Sequence, residues 1–253
     1  MPESKFPVIG AAPEGATDRD SAARAVRELF TSIAPRYDFL NHVLSMNVDR
    51  IWWRRASRTF RHILMRSDAR VLDLCCGTGD MTFALFRQAK ENAPYVAGAD
   101  FSHAMLERAA AKSGARNGRV PVWIEADALN LPFRDGHFDL VTSAFGFRNL
   151  ADYDAGLREI SRVLRPGAEC GILDFGEPKG AMGALYRFYF KEVLPRIGTM
   201  ISGIRGPYAY LPASVERFPA PEEMLQRMKR AGFAQAQWTP YTFGIAGLYR
   251  GKK

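Results

Sequence analysis

The chain has 253 residues, 47% of them hydrophobic, which suffices for one large α/β domain with additions and argues against global disorder. A net charge of +8 points to an acidic partner, either a nucleic acid or an anionic membrane surface. Three cysteines (Cys75, Cys76, Cys170) offer neither a disulfide framework nor the four ligands of a structural zinc site, and no run reaches the ~18 apolar residues of a membrane span.

Residues 1–20 lack a basic region followed by an apolar core, so they do not read as a secretory signal; their Pro, Gly and Ala content predicts a mobile tail. Residues 21–66 carry helical periodicity, broken near "IAPRYD" (33–38), and form an N-terminal helical lid. There Arg50, Arg54, Arg58 and Arg61 recur at helical spacing with Ile51, Trp52, Phe60 and Ile63 nearby. That face reads either as the solvated side of an amphipathic helix or as a surface for anionic headgroups.

Strands are expected at 70–76, 95–100, 120–127, 138–146 and 168–176. Helices are expected between them at 79–91, 102–112 and 152–164, with Ser102 as an N-cap and a turn at "RPG" (165–167). This alternation of apolar runs and helices predicts a parallel sheet covered on both faces, a core over 67–177. Residues 178–220, rich in aromatics, Gly and Pro, read as a substrate lid insert. Residues 221–253 read as a helix stopped at Gly232 and an antiparallel hairpin that completes the core.

"VLDLCCGTGDM" (71–81) carries the chemistry. Adjacent cysteines on opposite sides of a strand suit neither CxxC redox chemistry nor chelation. A P-loop would need Lys after the glycines, and the dinucleotide pattern fails at Thr82. Gly77 and Gly79 permit positive φ and close backbone approach. Asp100 ends the second strand, 21 residues after Gly79, where an acid can accept hydrogen bonds from ribose hydroxyls. At the third strand's end, Asp127 can take an adenine amine and Ala128 a backbone contact. An adenosine site without a phosphate cradle points to S-adenosylmethionine.

"VLDLCCGTGD" (71–80), "AD" (99–100), "ADALNLPF" (126–133) and "RVLRPG" (162–167) together resemble the class I methyltransferases over about 70–175. The resemblance implies a Rossmann-like α/β fold with a seven-stranded, mostly parallel sheet whose last strand is antiparallel. It implies that Asp73, Gly77, Thr78 and Gly79 surround the methionine end of S-adenosylmethionine, that Asp100 holds ribose, that Asp127 and Ala128 face adenine, and that Ala144 closes the site.

A narrower resemblance covers nearly all of the chain after residue 25. "PRYDFLNHVLSMNVDRIWWRR" (35–55), "FGFRNL" (145–150), "RVLRPGAECGILDFGEP" (162–178), "LPRIG" (194–198), "YAYLPASVERFP" (208–219) and the end at 244–252 resemble the quinone-biosynthesis C-methyltransferases, which act on menaquinone and ubiquinone precursors. Asp49 stands where their signature has His, Asp174 near the usual Glu, and Ala168 in place of a glycine.

The implied reaction is metal-free methylation of a polyprenyl hydroquinone carbon, demethylmenaquinol to menaquinol, with the 2-methoxy-6-polyprenyl-benzoquinol precursor of ubiquinone as the alternative acceptor. Arg148, beside Asn149, is expected to stabilise a developing phenolate. Tyr37, Asp38 and Asn41 are expected to gate the cofactor or orient the quinol, and Tyr208 and Tyr210 to line the ring pocket. A purely structural role stands beside each of these readings. His42 is an available base.

An isoprenoid quinol would bring the enzyme to a membrane surface through its basic and aromatic face without spanning it. The expected location is cytoplasmic, peripheral at the inner face of the membrane, with a homodimer left open and no nucleic acid expected. A class I methyltransferase for another small molecule, and a basic RNA-binding protein, are the remaining readings. No RRM, KH or zinc pattern favours the latter.

Overall fold

The computed structural model describes residues 9–38, 45, 47–89, 94–113, 120–178, 183, 189, 192 and 206–253. Asn41, His42, "LPRIG" and most of the expected lid insert lie outside these residues, as does the Tyr208 side chain.

One seven-stranded sheet organises the chain. Its strands are β1 (Arg70–Leu74), β2 (Tyr95–Asp100), β3 (Val122–Glu125), β4 (Phe138–Ala144), β5 (Leu164–Phe175), β6 (Ala234–Tyr241) and β7 (Ala246–Lys252). The order across the sheet is β3-β2-β1-β4-β5-β7-β6, with β7 antiparallel to both neighbours. Order reverses between β1 and β4, so their carboxyl ends open a crevice suited to a ligand. β6 is an edge strand, which is why it tolerates Pro240.

Helices cover both faces, as the apolar runs of β1, β2 and β4 require. Those two faces carry separate apolar cores. One is built under α5 (Tyr153–Val163) and α6 (Pro221–Arg230), with Leu157, Ile160, Met224 and Met228 buried. The other lies under α2 (Val48–Thr59) and α3 (Asp80–Gln88), with Trp52, Phe60 and Leu85 buried.

The N-terminal helix α1 (Arg19–Ile33) starts at a reciprocal cap: Asp18 accepts from the Ser21 amide at 2.8 Å, and the Ser21 hydroxyl accepts from the Asp18 amide at 3.0 Å. Arg19 pairs with Asp152 and Arg27 with Glu125, fastening α1 to the core. Just upstream, the Gly10 and Ala11 amides donate to Ala151 O (3.0 Å) and Leu150 O (2.8 Å), so the described end of the expected tail is docked.

Four local expectations change. β1 stops at Leu74 because Cys75 turns to φ 53, so the two cysteines do not alternate across a strand. "RPG" is not a turn between elements. Gly167 takes φ 79 inside a continuous β5, where the register with β4 shifts between Phe138 and Leu140. Ser102 occupies the N-cap of α4 (His103–Lys112), but its side chain makes no cap bond and meets the Thr31 hydroxyl at 3.1 Å. Of the apolar residues grouped with the arginines, Trp52, Phe60 and Ile63 turn inward and only Ile51 faces out.

Candidate active site

A cavity of about 520 Å³ opens at the carboxyl ends of β1, β2 and β4. That volume lies within the usual range for small-molecule sites. Every predicted cofactor residue except Gly79 lines it: Asp73, Gly77, Thr78, Asp100, Asp127, Ala128 and Ala144. Gly79 acts behind the wall. It takes φ 89, and a Cβ there would meet the Trp123 ring at 2.6 Å and the Phe83 ring at 3.0 Å, so glycine lets the loop pass under those rings.

Two carboxylates shape this end. Asp73 is fully buried and accepts from the Thr82 hydroxyl at 2.6 Å and the Thr142 hydroxyl at 2.8 Å. Burial pushes its pKa up to about 7, against the pull of those hydroxyls and with a further push from nearby Asp100. Asp100 accepts one backbone N–H on each oxygen, from Gly77 at 2.8 Å and from Ser102 at 2.9 Å. Each oxygen keeps a second lone pair. Asp100 therefore fixes the glycine loop to β2 and can still accept from a ligand diol. Its pKa is also raised by burial, opposed by those amide bonds.

The loop after β3 is held from beneath. Arg162, in the "RVLRPG" motif, donates to Leu131 O at 3.0 Å and to Phe133 O at 2.7 Å, while Glu159 accepts from the Leu131 amide at 2.8 Å. Asp127 is exposed, and its Oδ1 accepts from the Leu129 amide at 2.9 Å. Ala128, by contrast, is buried at the wall.

The other end of the cavity is aromatic. Trp52 lies 5.7 Å from Phe145 and 6.2 Å from Phe175, and Phe145 lies 4.7 Å from Phe175, between ring centroids. All three line the cavity, as does buried Asp49, whose carboxylate accepts from the Arg50 amide at 2.7 Å. Cys75 and Phe145 both hold positive φ without being glycine, a conformation that clusters at functional sites. They approach each other through Gly146, where a Cβ would stand 2.4 Å from the Cys75 Cβ.

Of the predicted reaction residues, Arg148, Asn149 and Tyr37 line the cavity. Tyr210 stands one bond away, its hydroxyl donating to Asn149 Oδ1 at 3.1 Å. Asp38 likewise acts through a neighbour. Its carboxylate accepts from the Thr78 hydroxyl and pairs with Lys112 at 2.9 Å, and Lys112 also reaches Asp80 at 3.2 Å.

Arg148 is buried in an ion pair with fully buried Asp174, at 3.0 Å from Nη1. Nη1 also donates to Phe145 O, and the Arg148 amide donates to Asp174 Oδ2 at 3.1 Å. Its guanidinium carbon lies 5.1 Å from the Phe175 ring centroid. Asp174, noted in the sequence only as a departure, is the ion-pair partner of Arg148. Thr82 entered the sequence reading only as the residue that breaks the dinucleotide pattern, and nothing local marks Thr142 or Lys112.

The family model for the ubiE/COQ5 methyltransferase family matches residues 17–253. A demethylmenaquinone methyltransferase of Deinococcus radiodurans is 49% identical over 239 residues, covering 93% of this chain and 95% of that protein. A demethylmenaquinone methyltransferase of Thermus thermophilus is 49% identical over 228 residues, covering 89% of this chain and 100% of that protein. Among solved structures, a SAM-dependent methyltransferase from Thermotoga maritima superposes with a TM-score of 0.61 at 17% identity, covering 90% of this chain and 99% of that one. That last likeness concerns the fold.

Proposed function

Because the chain belongs to the ubiE/COQ5 methyltransferase family, and so is a methyltransferase dependent on S-adenosylmethionine, we infer that it methylates a ring carbon of demethylmenaquinol to give menaquinol. The observation that carries this reading is one continuous cavity. It runs from the Asp100 seat to the cluster of Trp52, Phe145 and Phe175 with Arg148 at its edge. A polar diol acceptor at one end and an apolar aromatic wall at the other suit an adenosine donor and a naphthoquinol.

When bound, S-adenosylmethionine would supply a methyl group to the nucleophilic ring carbon and leave as the neutral thioether, the proton on that carbon then passing to a base as the ring regains aromaticity. The chain's own residues do the rest. Asp100 accepts from the ribose hydroxyls, Ala128 and Asp127 border the adenine, and Gly77 and Thr78 cradle the methionine end beside Asp73. Arg148, oriented by Asp174, favours the ionised form of a quinol hydroxyl and so enriches the ring carbon. The aromatic wall excludes water, which strengthens that interaction and aligns carbon, methyl and sulfur.

Asp38 serves as a latch from the N-terminal segment onto the glycine loop through Thr78 and Lys112. Asp38→Ala is expected to weaken donor binding about fivefold, as for one lost charge-assisted bond near the surface, with little change in thermal midpoint. Calorimetric titration of the donor checks this; unchanged affinity would leave the latch without a role.

The test of function is methyl transfer followed by mass spectrometry. Purified protein and donor are offered reduced demethylmenaquinone and, separately, a reduced methoxy-polyprenyl-benzoquinone. One methyl gained on the carbon of the naphthoquinol, in preference to the benzoquinol, is expected. Methylation of the benzoquinol alone would move the chain to the ubiquinone branch, and no product on either would refute the quinol reading. No helix among the described residues is long and apolar enough to cross a membrane.

A further inference from the structure

Among the described residues the two most exposed large hydrophobics are Phe243, 78% exposed, and Ile51, 63% exposed. They belong to one edge of the molecule. Trp52, next to Ile51, donates its indole N–H to the Thr242 hydroxyl at 2.8 Å, and Thr242 is next to Phe243. The Arg55 guanidinium carbon lies 4.2 Å from the ring centroid of Tyr241, the last residue of β6, a second tie between α2 and this edge, where a short loop joins β6 to β7.

That loop is held in a demanding conformation. Thr242, Phe243 and Gly244 take φ 46, 58 and 92 in succession, and the first two have side chains that disfavour it. The loop is also fastened to β5, because the Gly176 amide donates to Ile245 O at 3.0 Å. Phe243 is thus presented outward by a braced turn.

On the helix that carries Ile51, Arg50, Arg54 and Arg58 recur every four residues, with Arg61 just beyond its end; all four are exposed and none has an ion-pair partner among the described residues. The aromatic end of the cavity reaches Thr242 and Ile245, on either side of Phe243 in the chain, and Trp52 beside Ile51.

We propose that the arginine face of α2, with Ile51 and Phe243 as an apolar wedge, docks on an anionic bilayer surface and turns the aromatic end of the cavity towards it. The guanidinium groups would sit among anionic headgroups while the wedge enters the upper acyl region. Charge complementarity alone would also suit a phosphate backbone. An aliphatic side chain such as Ile51 gains nothing there, but gains by leaving water for acyl chains. Delivery of a quinol through this face rests on the quinol reading; the docking does not.

The test is co-sedimentation of the full chain with phosphatidylglycerol-containing vesicles and with phosphatidylcholine vesicles, alongside turnover of a short-tailed demethylmenaquinol in solution and of a long-tailed one in vesicles. The wild-type chain is expected to bind the anionic vesicles preferentially, and less so as salt rises. Phe243→Ser is expected to weaken that binding about tenfold, and Arg50→Ala, Arg54→Ala and Arg58→Ala about fivefold each. All of these variants should keep wild-type turnover of the soluble quinol and turn over the vesicle-borne one more slowly, in proportion to their weaker binding.

Absence of vesicle binding by the wild-type chain, or unchanged binding in the variants, would overturn the proposal. So would salt-sensitive binding of an RNA duplex, lost in the arginine variants, without any vesicle binding. Vesicle binding that responds to the variants as expected, with no turnover of either quinol, would uphold the docking face and refute the substrate instead.

Discussion

Asp73→Asn is expected to raise the stability of the ligand-free protein by about 3 kcal/mol above pH 7 and, in the same variant, to weaken donor binding at least tenfold. The side chain is fully buried, and burial lifts its pKa from the ordinary 3.8 to about 7. The folded chain therefore holds this proton more tightly than the unfolded one. The associated stability is complete below the ordinary carboxyl range and is lost as pH rises through about 7, a difference on the order of 4 kcal/mol. An uncharged amide of the same shape avoids most of that loss, since the Thr82 and Thr142 hydroxyls can rotate to donate to it or accept from it.

Binding of a cationic donor moves the other way. The ionised carboxylate attracts the donor, so affinity in the wild type should fall as pH drops below about 7, by up to tenfold per unit, and the slope should vanish in Asp73→Asn. Denaturant midpoints and calorimetric donor titrations on either side of pH 7 read both effects. An identical pH slope in the variant would assign the titration to another group. The pattern expected is that of a site kept costly for function.

What could be read in the chain was what its local spacing encodes. Gly77, Gly79 and Asp100 are joined by one strand, one helix and the next strand, so their order along the chain already places them together. Asp73 was legible as a position but not as a proton site. Its environment includes Thr142, 69 residues away and brought across by the parallel register of β1 with β4. The arginine periodicity of α2 was legible as well. Which apolar residues accompany it outward was not, because Trp52 and Ile51 are adjacent and only packing against Phe145 and Phe175 decides that Trp52 goes in.

Two conformations had no sequence signal of their own. Gly167 read as a turn because "RPG" is turn chemistry, yet β5 pairs with β4 at Leu164 and again from Glu169, and the Gly167 amide donates to Lys253 O at 2.8 Å, so the chain passes through it as an irregularity within the strand. The positive φ values at Cys75, Phe145, Thr242 and Phe243 fall on residues whose propensities argue against them, so tertiary contacts impose them. Cys75, Phe145 and Thr242 line the cavity and Phe243 adjoins Thr242 in the chain, whereas Asn47 and Gln235, the other non-glycine residues with positive φ among the described residues, do not line it.

Arg148→Met is expected to destabilise the protein by about 3–5 kcal/mol, because it leaves the fully buried Asp174 carboxylate without its guanidinium. Burial already pushes that carboxyl up while Arg148 pulls it down, so removing Arg148 takes away the charge that opposes the cost. Asp174→Asn should be destabilising through the same pair. The double variant Arg148→Met/Asp174→Leu removes both charges, and it should recover most of the loss if the pair's value lies in mutual neutralisation.

The double variant also separates structure from chemistry. A folded protein that still binds the donor but turns over the quinol about a hundredfold more slowly, with KM little changed, would mean that Arg148 acts on the developing phenolate. Retained kcat in that protein would confine Arg148 to holding the turn at 147–149 against β5. The enrichment of the ring carbon would then have to come from another group lining the cavity, where Asp49, Asn149 and Thr242 are among the polar side chains.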